Sequence, residues 1–354
     1  MHIKVYFLVE KVKVLLNFMT DFQTEKKLVL NYFNELDKVS PNGTIEVIKK
    51  YVSKDFHLRA THPFNDLYGI EDVANKLWIP IKKSFSPIQR RMDIFYAGTN
   101  SIDNHKTKWV TSMGHLLGIF HKPFLGIKPN HKMAMLRYAE FYRVEDEKII
   151  EGSFFLDVMN FMQQLGINII PESTGLVGIT PGPMTHDGLQ FDKKEKQEGI
   201  DTNNLIERMA KRLIGEGIES GGMESVQSEL ILDWNDDMIW WGPGGIGASY
   251  TIEGYIKGHT APFEKGLQFV DFTGHIASSA EGNFGGWFGW PNLLMKAKGN
   301  YLGLTSASEK ISEMRVVDLY RRDNDKLAEN WIFIDHLHFL KGLGIDLLDR
   351  YHKL

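Results

Sequence analysis

Two aspartates pose the same chemical question 178 residues apart. Asp157 follows Ser153-Phe-Phe-Leu156, and Asp335 follows Trp331-Ile-Phe-Ile334. An Asp between an apolar strand and a helix has two uses. Its side chain can cap the first helical turn. Among aromatic neighbours its carboxyl can also hold a proton above the usual range and act as acid or base. His115, in Gly114-His-Leu-Leu-Gly-Ile-Phe-His121, is the candidate partner. An imidazole within reach of Asp157 makes an acid–base pair; the alternative is a core or surface histidine. The positions matching His115 and His121 further along the chain are Asn292 and Lys298. If the chemistry needs a histidine, it is expected only around Asp157.

Three other patterns carry weaker signals. Gly242-Pro-Gly244-Gly-Ile-Gly247 fits the spacing of a dinucleotide-binding turn. That reading needs a helix and a parallel strand–helix–strand unit next, and the following segments read as antiparallel strands, so a flexible loop is expected. Asp335-His336-Leu-His338 puts two imidazoles on one face only in a strand, and a helix begins here with no third ligand in sight, so no metal is expected. The stretch around Trp240, Trp241, Trp287 and Trp290 is rich in aromatics and glycine. Trp240, Trp287, Trp290 and Asn292 are the candidate substrate-binding residues, because aromatics around a cavity suit a flat apolar ligand. Ordinary core packing is the other reading.

The elements that position these residues occur twice. Arg137–Ile170 and Arg315–Leu348 align at a constant offset. Identical pairs include Arg137/Arg315, Tyr142/Tyr320, Glu151/Glu329, Asp157/Asp335, Phe161/Phe339 and Gly166/Gly344. Each copy reads as an alternating strand, a polar turn, a second strand, the Asp, and a short amphipathic helix ended by Gly. Upstream, Gly69-Ile-Glu-Asp-Val73 matches Thr251-Ile-Glu-Gly-Tyr255, and Phe124-Leu-Gly-Ile127 matches Tyr301-Leu-Gly-Leu304. The repeat is domain-sized rather than a solenoid unit.

In chain order, helices are expected at 23–39, 44–52 and 69–79, with Pro80 ending or kinking the third. Strands follow at 56–61, 91–98 and 108–120, then the hairpin. The second copy opens with helices at 202–214 and 224–233. Its strands are expected at 237–241, 267–278, 283–288 and 293–301. The domains expected are 23–170 and 201–354. Residues 1–22 form an extension whose first part reads as an added helix, a strand or a leader. Residues 171–200, rich in Pro and Gly, form a linker or an ordered arm. The fold class is α+β: two tandem cone-shaped domains, each a curved antiparallel sheet wrapped by helices.

The chain has 354 residues, 43% of them hydrophobic and 24% charged, with a net charge of −4. That balance argues against a nucleic-acid footprint. No cysteine occurs, so disulfides and thiol chemistry are excluded. No apolar run is long enough for a membrane span, and the charged N-terminal stretch does not read as a signal peptide, so a cytoplasmic protein is expected.

The run Gly-His on a strand, then Phe-Leu-Gly-Ile, a hairpin ending Ile-x-Glu, aromatics, Asp157 and Gln164-Leu-Gly166 resembles the SnoaL-like polyketide cyclases of the nuclear-transport-factor-2-like superfold. The resemblance is closer for the first copy. It implies a bent sheet around an apolar pocket and intramolecular aldol chemistry with no cofactor or metal. It also implies that Asp157 and Asp335 match the acid/base Asp, and that His115 matches the assisting His. Two function classes are therefore carried forward. One is an acid/base enzyme of cyclase, isomerase or hydrolase type acting on a small apolar carbonyl compound. The other is a non-catalytic small-molecule-binding protein whose second domain is structural. The expected assembly is an internal pseudo-dimer, with a homodimer as a further option.

Overall fold

A computed structural model describes residues 18–353 except 172, 214–227, 229, 307 and 308. The expectations for 1–17, and for residues 224–227 and 229 of a helix at 224–233, lie outside the described residues; 228 and 230–233 are helical.

Six strands form the first sheet: β1 Val52–Ala60, β2 Asn65–Tyr68, β3 Phe85–Thr99, β4 Lys108–Phe120, β5 Met133–Glu145 and β6 Lys148–Leu156. Their spatial order is β2-β1-β6-β5-β4-β3. The second sheet uses β7 Trp234–Trp241, β8 Ser249–Tyr250, β9 Leu267–Phe272, β10 Ala277–Glu281, β11 Phe284–Ala297, β14 Ile311–Asp323 and β15 Lys326–Ile334. A separate small hairpin pairs β12 Asn300–Tyr301 with β13 Leu304–Thr305. The second sheet runs β8-β7-β15-β14-β11, with both β9 and β10 on the outer side of β11. The two sheets thus follow one plan, curved and unclosed.

Both sheets depart from the expected purely antiparallel pattern in the same way. β1 runs parallel to β6, and β7 runs parallel to β15. Hairpin reasoning finds only neighbours in sequence; here the partners are separated by the rest of the domain, which leaves the direction free. β11 is a single strand where two were expected. It runs through Pro291 with a register shift between Gly289 and Leu293, a place where a sheet tolerates proline. The third helix also continues past Pro80 to Ser84, after a wide π turn over Val73–Trp78.

Side-chain alternation splits each sheet into two faces. In β5, Leu136, Tyr138 and Tyr142 join the core under the helices, while Ala139 and Phe141 join a second apolar layer. In β14, Val316 and Tyr320 face inward, and Val317 and Leu319 join that second layer. The layer lies between the sheets: the Phe288 ring centroid is 5.0 Å from Phe141 and 5.6 Å from Trp109.

Residues 171–200 are an ordered arm laid along both halves. Phe95 N–H donates to Gly188 O, and Gln190 N–H to Phe95 O. Trp331 Nε1 donates to Pro181 O at 3.0 Å. The helix expected from 202 begins earlier, at Lys196, within this arm. Among the described residues no helix is long and apolar enough to cross a membrane.

Because Phe288 packs on rings from the first sheet, Phe288→Ala should cost about 3–5 kcal/mol. The whole chain should still unfold in one transition by chemical denaturation. A loss under about 1 kcal/mol would mean the layer does not hold the sheets together.

Candidate active site

Asp157 and Asp335 turn out to be joints between the halves. Asp157 Oδ1 accepts the Asn160 N–H at 2.9 Å, which caps the helix Val158–Gln164. Its Oδ2 accepts the Gly244 N–H from the second half at 2.9 Å and the Arg137 guanidinium at 3.3 Å. Arg137 also donates to Gly242 O and Trp241 O. Asp335 repeats the arrangement in reverse. Its Oδ1 accepts the His338 N–H, and its Oδ2 accepts the His62 N–H from the first half and Arg315. Arg315 Nη1 reaches Asn65 Oδ1 and lies over the Trp290 ring. Neither Asp has a free oxygen, and the apolar cavity described below is not lined by either.

The glycine-rich turn at 242–247 owes its composition to this joint. A Cβ on Gly244 would stand 2.2 Å from Asn160 N and 2.7 Å from Asp157 Oδ1. The turn serves close backbone approach, and β8 rather than a helix follows it.

His115 is buried, with Nδ1 3.3 Å from Asp93 Oδ2. Its cross-strand neighbour is Arg137, and Arg137 is the residue that meets Asp157. The acid–base couple expected from His115 and Asp157 is therefore not assembled. His336 Nδ1 contacts Gly244 O and its Nε2 contacts Tyr301, while His338 Nε2 lies 3.2 Å from Glu313. Among the described residues no group of three metal-binding side chains comes together.

The second half holds a cavity of about 190 Å³. Trp240, Trp287 and Asn292 line it, as expected from the sequence; Trp290 does not, being held against Arg315 and Phe155. The cavity wall also includes Asp318, which sequence reasoning missed. Asp318 sits on the inward face of β14, two residues before Tyr320. Asn330 Nδ2 donates to its Oδ1 at 2.8 Å. Burial among aromatics pushes its carboxyl up to about 7, while Asn330 and Tyr320 pull the other way; among the described residues no cation acts on it.

Two histidines on the same wall are kept neutral. His259 stacks on Trp240 at 4.4 Å, and burial lowers it to about 3. His275 stacks on Trp287 at 4.2 Å, and burial lowers it to about 4. Asn292 Oδ1 accepts the Val316 N–H, so its Nδ2 faces His275 Nδ1 at 2.9 Å as donor. That assignment leaves the His275 proton on Nε2. Among the described residues the buried indole N–H groups of Trp234 and Trp287 find no hydrogen-bond partner of good geometry, though Trp287 lies beside the Tyr320 side chain.

The first half shows why the second is hollow. The residue matching Asp318 is Glu140, and there a cation is built in. Arg90 Nη1 lies 2.6 Å from Glu140 Oε2, and Arg90 Nε lies 3.0 Å from Asp37 Oδ2. The Arg90 guanidinium is 4.0 Å from the Phe33 ring centroid and 4.8 Å from that of Tyr138. Arg90 pairs in register with Leu116, and the matching pair in the second sheet is Phe272 with Leu293. Along the aligned stretches Tyr138 corresponds to Val316, and Trp78 to Thr260. Arg, Tyr and Trp fill the first interior; Phe272, Val316 and Thr260 leave the second open. Beside Arg90 the first half carries a groove open to solvent, rimmed by Asp37, Lys82 and Gln89.

Residues 99–165 match the family model of the SnoaL-like polyketide cyclases. The matched stretch lies in the first half, not in the half with the cavity. Among curated proteins none matches this chain. Solved structures similar to it include a SnoaL-like protein from Jannaschia sp. CCS1, at 19% identity and a TM-score of 0.33, covering 40% of this chain and 91% of its own. An NTF2-like protein from Burkholderia xenovorans LB400 matches at 11% identity and a TM-score of 0.31, covering 41% and 97%. TsrD from Streptomyces laurentii matches at 14% identity and 0.33, covering 42% and 98%.

Asp157→Ala would strand the buried Arg137 and two backbone N–H groups. We expect a loss of about 3–5 kcal/mol by chemical denaturation. Asp157→Asn keeps the cap through its amide oxygen but turns an NH2 donor onto the Gly244 N–H and Arg137, so it should still lose most of that stability. A loss under about 1 kcal/mol for Asn would contradict the joint described here.

Proposed function

We propose that the chain is a SnoaL-like acid/base enzyme of cyclase, isomerase or hydrolase type, acting on a small apolar carbonyl compound in the second-half cavity. Asp318 takes the proton-transfer role that the sequence suggested for Asp157, and no step draws on a cofactor or metal. The observation that carries this reading is a buried carboxyl on the wall of an aromatic cavity, with no cation against it among the described residues and pushed up to about 7 by burial. A base is most effective when its pKa lies near the working pH.

The step runs as follows. Ionised Asp318 takes a proton from the carbon next to the carbonyl. The C–H electron pair moves into the new carbon–carbon double bond, and charge collects on the carbonyl oxygen. Neutral donors on the cavity wall, the His275 Nε2–H and the Trp287 N–H, are the groups suited to that oxygen. A neutral imidazole serves here because burial keeps it uncharged. The proton on Asp318 is then returned to the product.

We also read the chain as two tandem units, 23–170 and 201–354, joined by the arm 171–200 and preceded by an extension at 1–22. Their packing is that of an internal pseudo-dimer. The common strand order and the apolar layer between the sheets support this. A non-catalytic binder would use the same cavity, and the capping roles of Asp157 and Asp335 favour it.

The test is α-hydrogen exchange of 2-tetralone in deuterium oxide, followed by proton NMR. The chain should accelerate exchange, and the rate should climb with pH to a plateau above about 7, because only the ionised carboxyl is a base. Asp318→Asn should lose about a hundredfold or more. A rate indifferent to Asp318→Asn would remove Asp318 from the mechanism and leave the binder.

A further inference from the structure

Each half carries a buried carboxylate at the same inward-facing position, and the first half displays what that position binds. Glu140 holds the guanidinium of Arg90 at 2.6 Å, with Phe33, Tyr138 and Trp78 around the cation at 4.0, 4.8 and 5.7 Å from their ring centroids. That is a planar cation packed among aromatic rings and closed by an acid, an arrangement that gains when water is excluded. In the second half the acid remains as Asp318, aromatic walls remain in Trp240, Tyr255 and Trp287, and the internal cation has become Phe272. The space vacated is the cavity.

We propose that this cavity is a binding site for a planar organic cation, an amidinium or guanidinium on a small apolar body, with Asp318 as its counter-ion. The cation would stand where the first half places the Arg90 side chain. This does not depend on Asp318 acting as a base; it needs only that the carboxyl is uncompensated and the cavity accessible. Binding would drive the proton off Asp318, since a cation beside a buried carboxyl favours the ionised form.

The other titratable groups on the cavity wall are Tyr255, His259, Glu264, His275 and Tyr320. Burial raises both tyrosines and lowers both histidines, so these four stay neutral near pH 7. Glu264 is half-buried and serves as the control carboxylate.

The experiment is calorimetric titration of the full chain with benzamidinium and with benzamide, its neutral counterpart. At about pH 8 benzamidinium should bind about tenfold or more tighter than benzamide. Lowering the pH to about 6 should weaken benzamidinium about tenfold, as Asp318 takes up its proton, and leave benzamide unchanged. Asp318→Asn should erase the preference, and Glu264→Gln should not. Phe272→Arg, which restores the built-in cation, should abolish benzamidinium binding while the chain stays folded. Equal affinity for the two probes, no binding of either, or a preference that survives Asp318→Asn or disappears with Glu264→Gln would overturn the proposal. Turnover is not part of the readout, so failure of the exchange assay would leave this result standing, and the converse holds too.

Discussion

A carboxyl group shut among aromatic side chains must either keep its proton or be met by a cation. The two halves of this chain meet that constraint with different partners, and burial raises both carboxyls, Glu140 and Asp318, to about 7. Glu140 is met by Arg90, whose guanidinium fills the first interior and is shared with Asp37. Among the described residues Asp318 has Asn330 and Tyr320 as partners and no cation, and burial holds its proton on to about pH 7. The sign for stability follows. Between about pH 4 and 7 the native chain keeps a proton that the unfolded chain has released, so this site lowers stability as pH rises through that window. Such a cost is typical of groups retained for chemistry or binding rather than for packing.

The second constraint is that two curved sheets must be fixed face to face. Apolar rings supply most of the contact. The Asp–Arg pairs at its edge supply direction, because each Asp takes an N–H from the opposite half: Gly244 for Asp157 and His62 for Asp335. The same carboxylates cap their own helices. One residue type at the end of a strand thus links the strand, the helix and the other half. This accounts for an Asp at the same place in each sheet.

Most elements of the two sheets could be read from the sequence, because β alternation leaves a clear pattern. The capping use of Asp157 was one of the two uses its position allowed. Asp318 was missed for a definite reason. The repeat was read by identities, and Glu140/Asp318 is a change of chain length rather than of charge. Yet the alternation Met314, Val316, Asp318, Tyr320 already puts an acid on an apolar face, and that was the available signal. The link between Arg90 and Phe272 was out of reach. Their strands differ in length and lie far from the aligned stretch, so only sheet register brings them into correspondence. For the same reason the sequence pointed to the first half, while the cavity lies in the second. His115 marked the first copy, whereas the space for a ligand comes from three large side chains becoming smaller in the second.

The central claim is that Asp318 is a buried acid without a counter-ion. Carboxyl-carbon NMR titration of the full chain, with the resonance assigned through Asp318→Asn, measures this directly. The account predicts a midpoint near 7. A midpoint near the ordinary aspartate value of about 4 would contradict it, because it would mean the carboxyl is solvated or already paired.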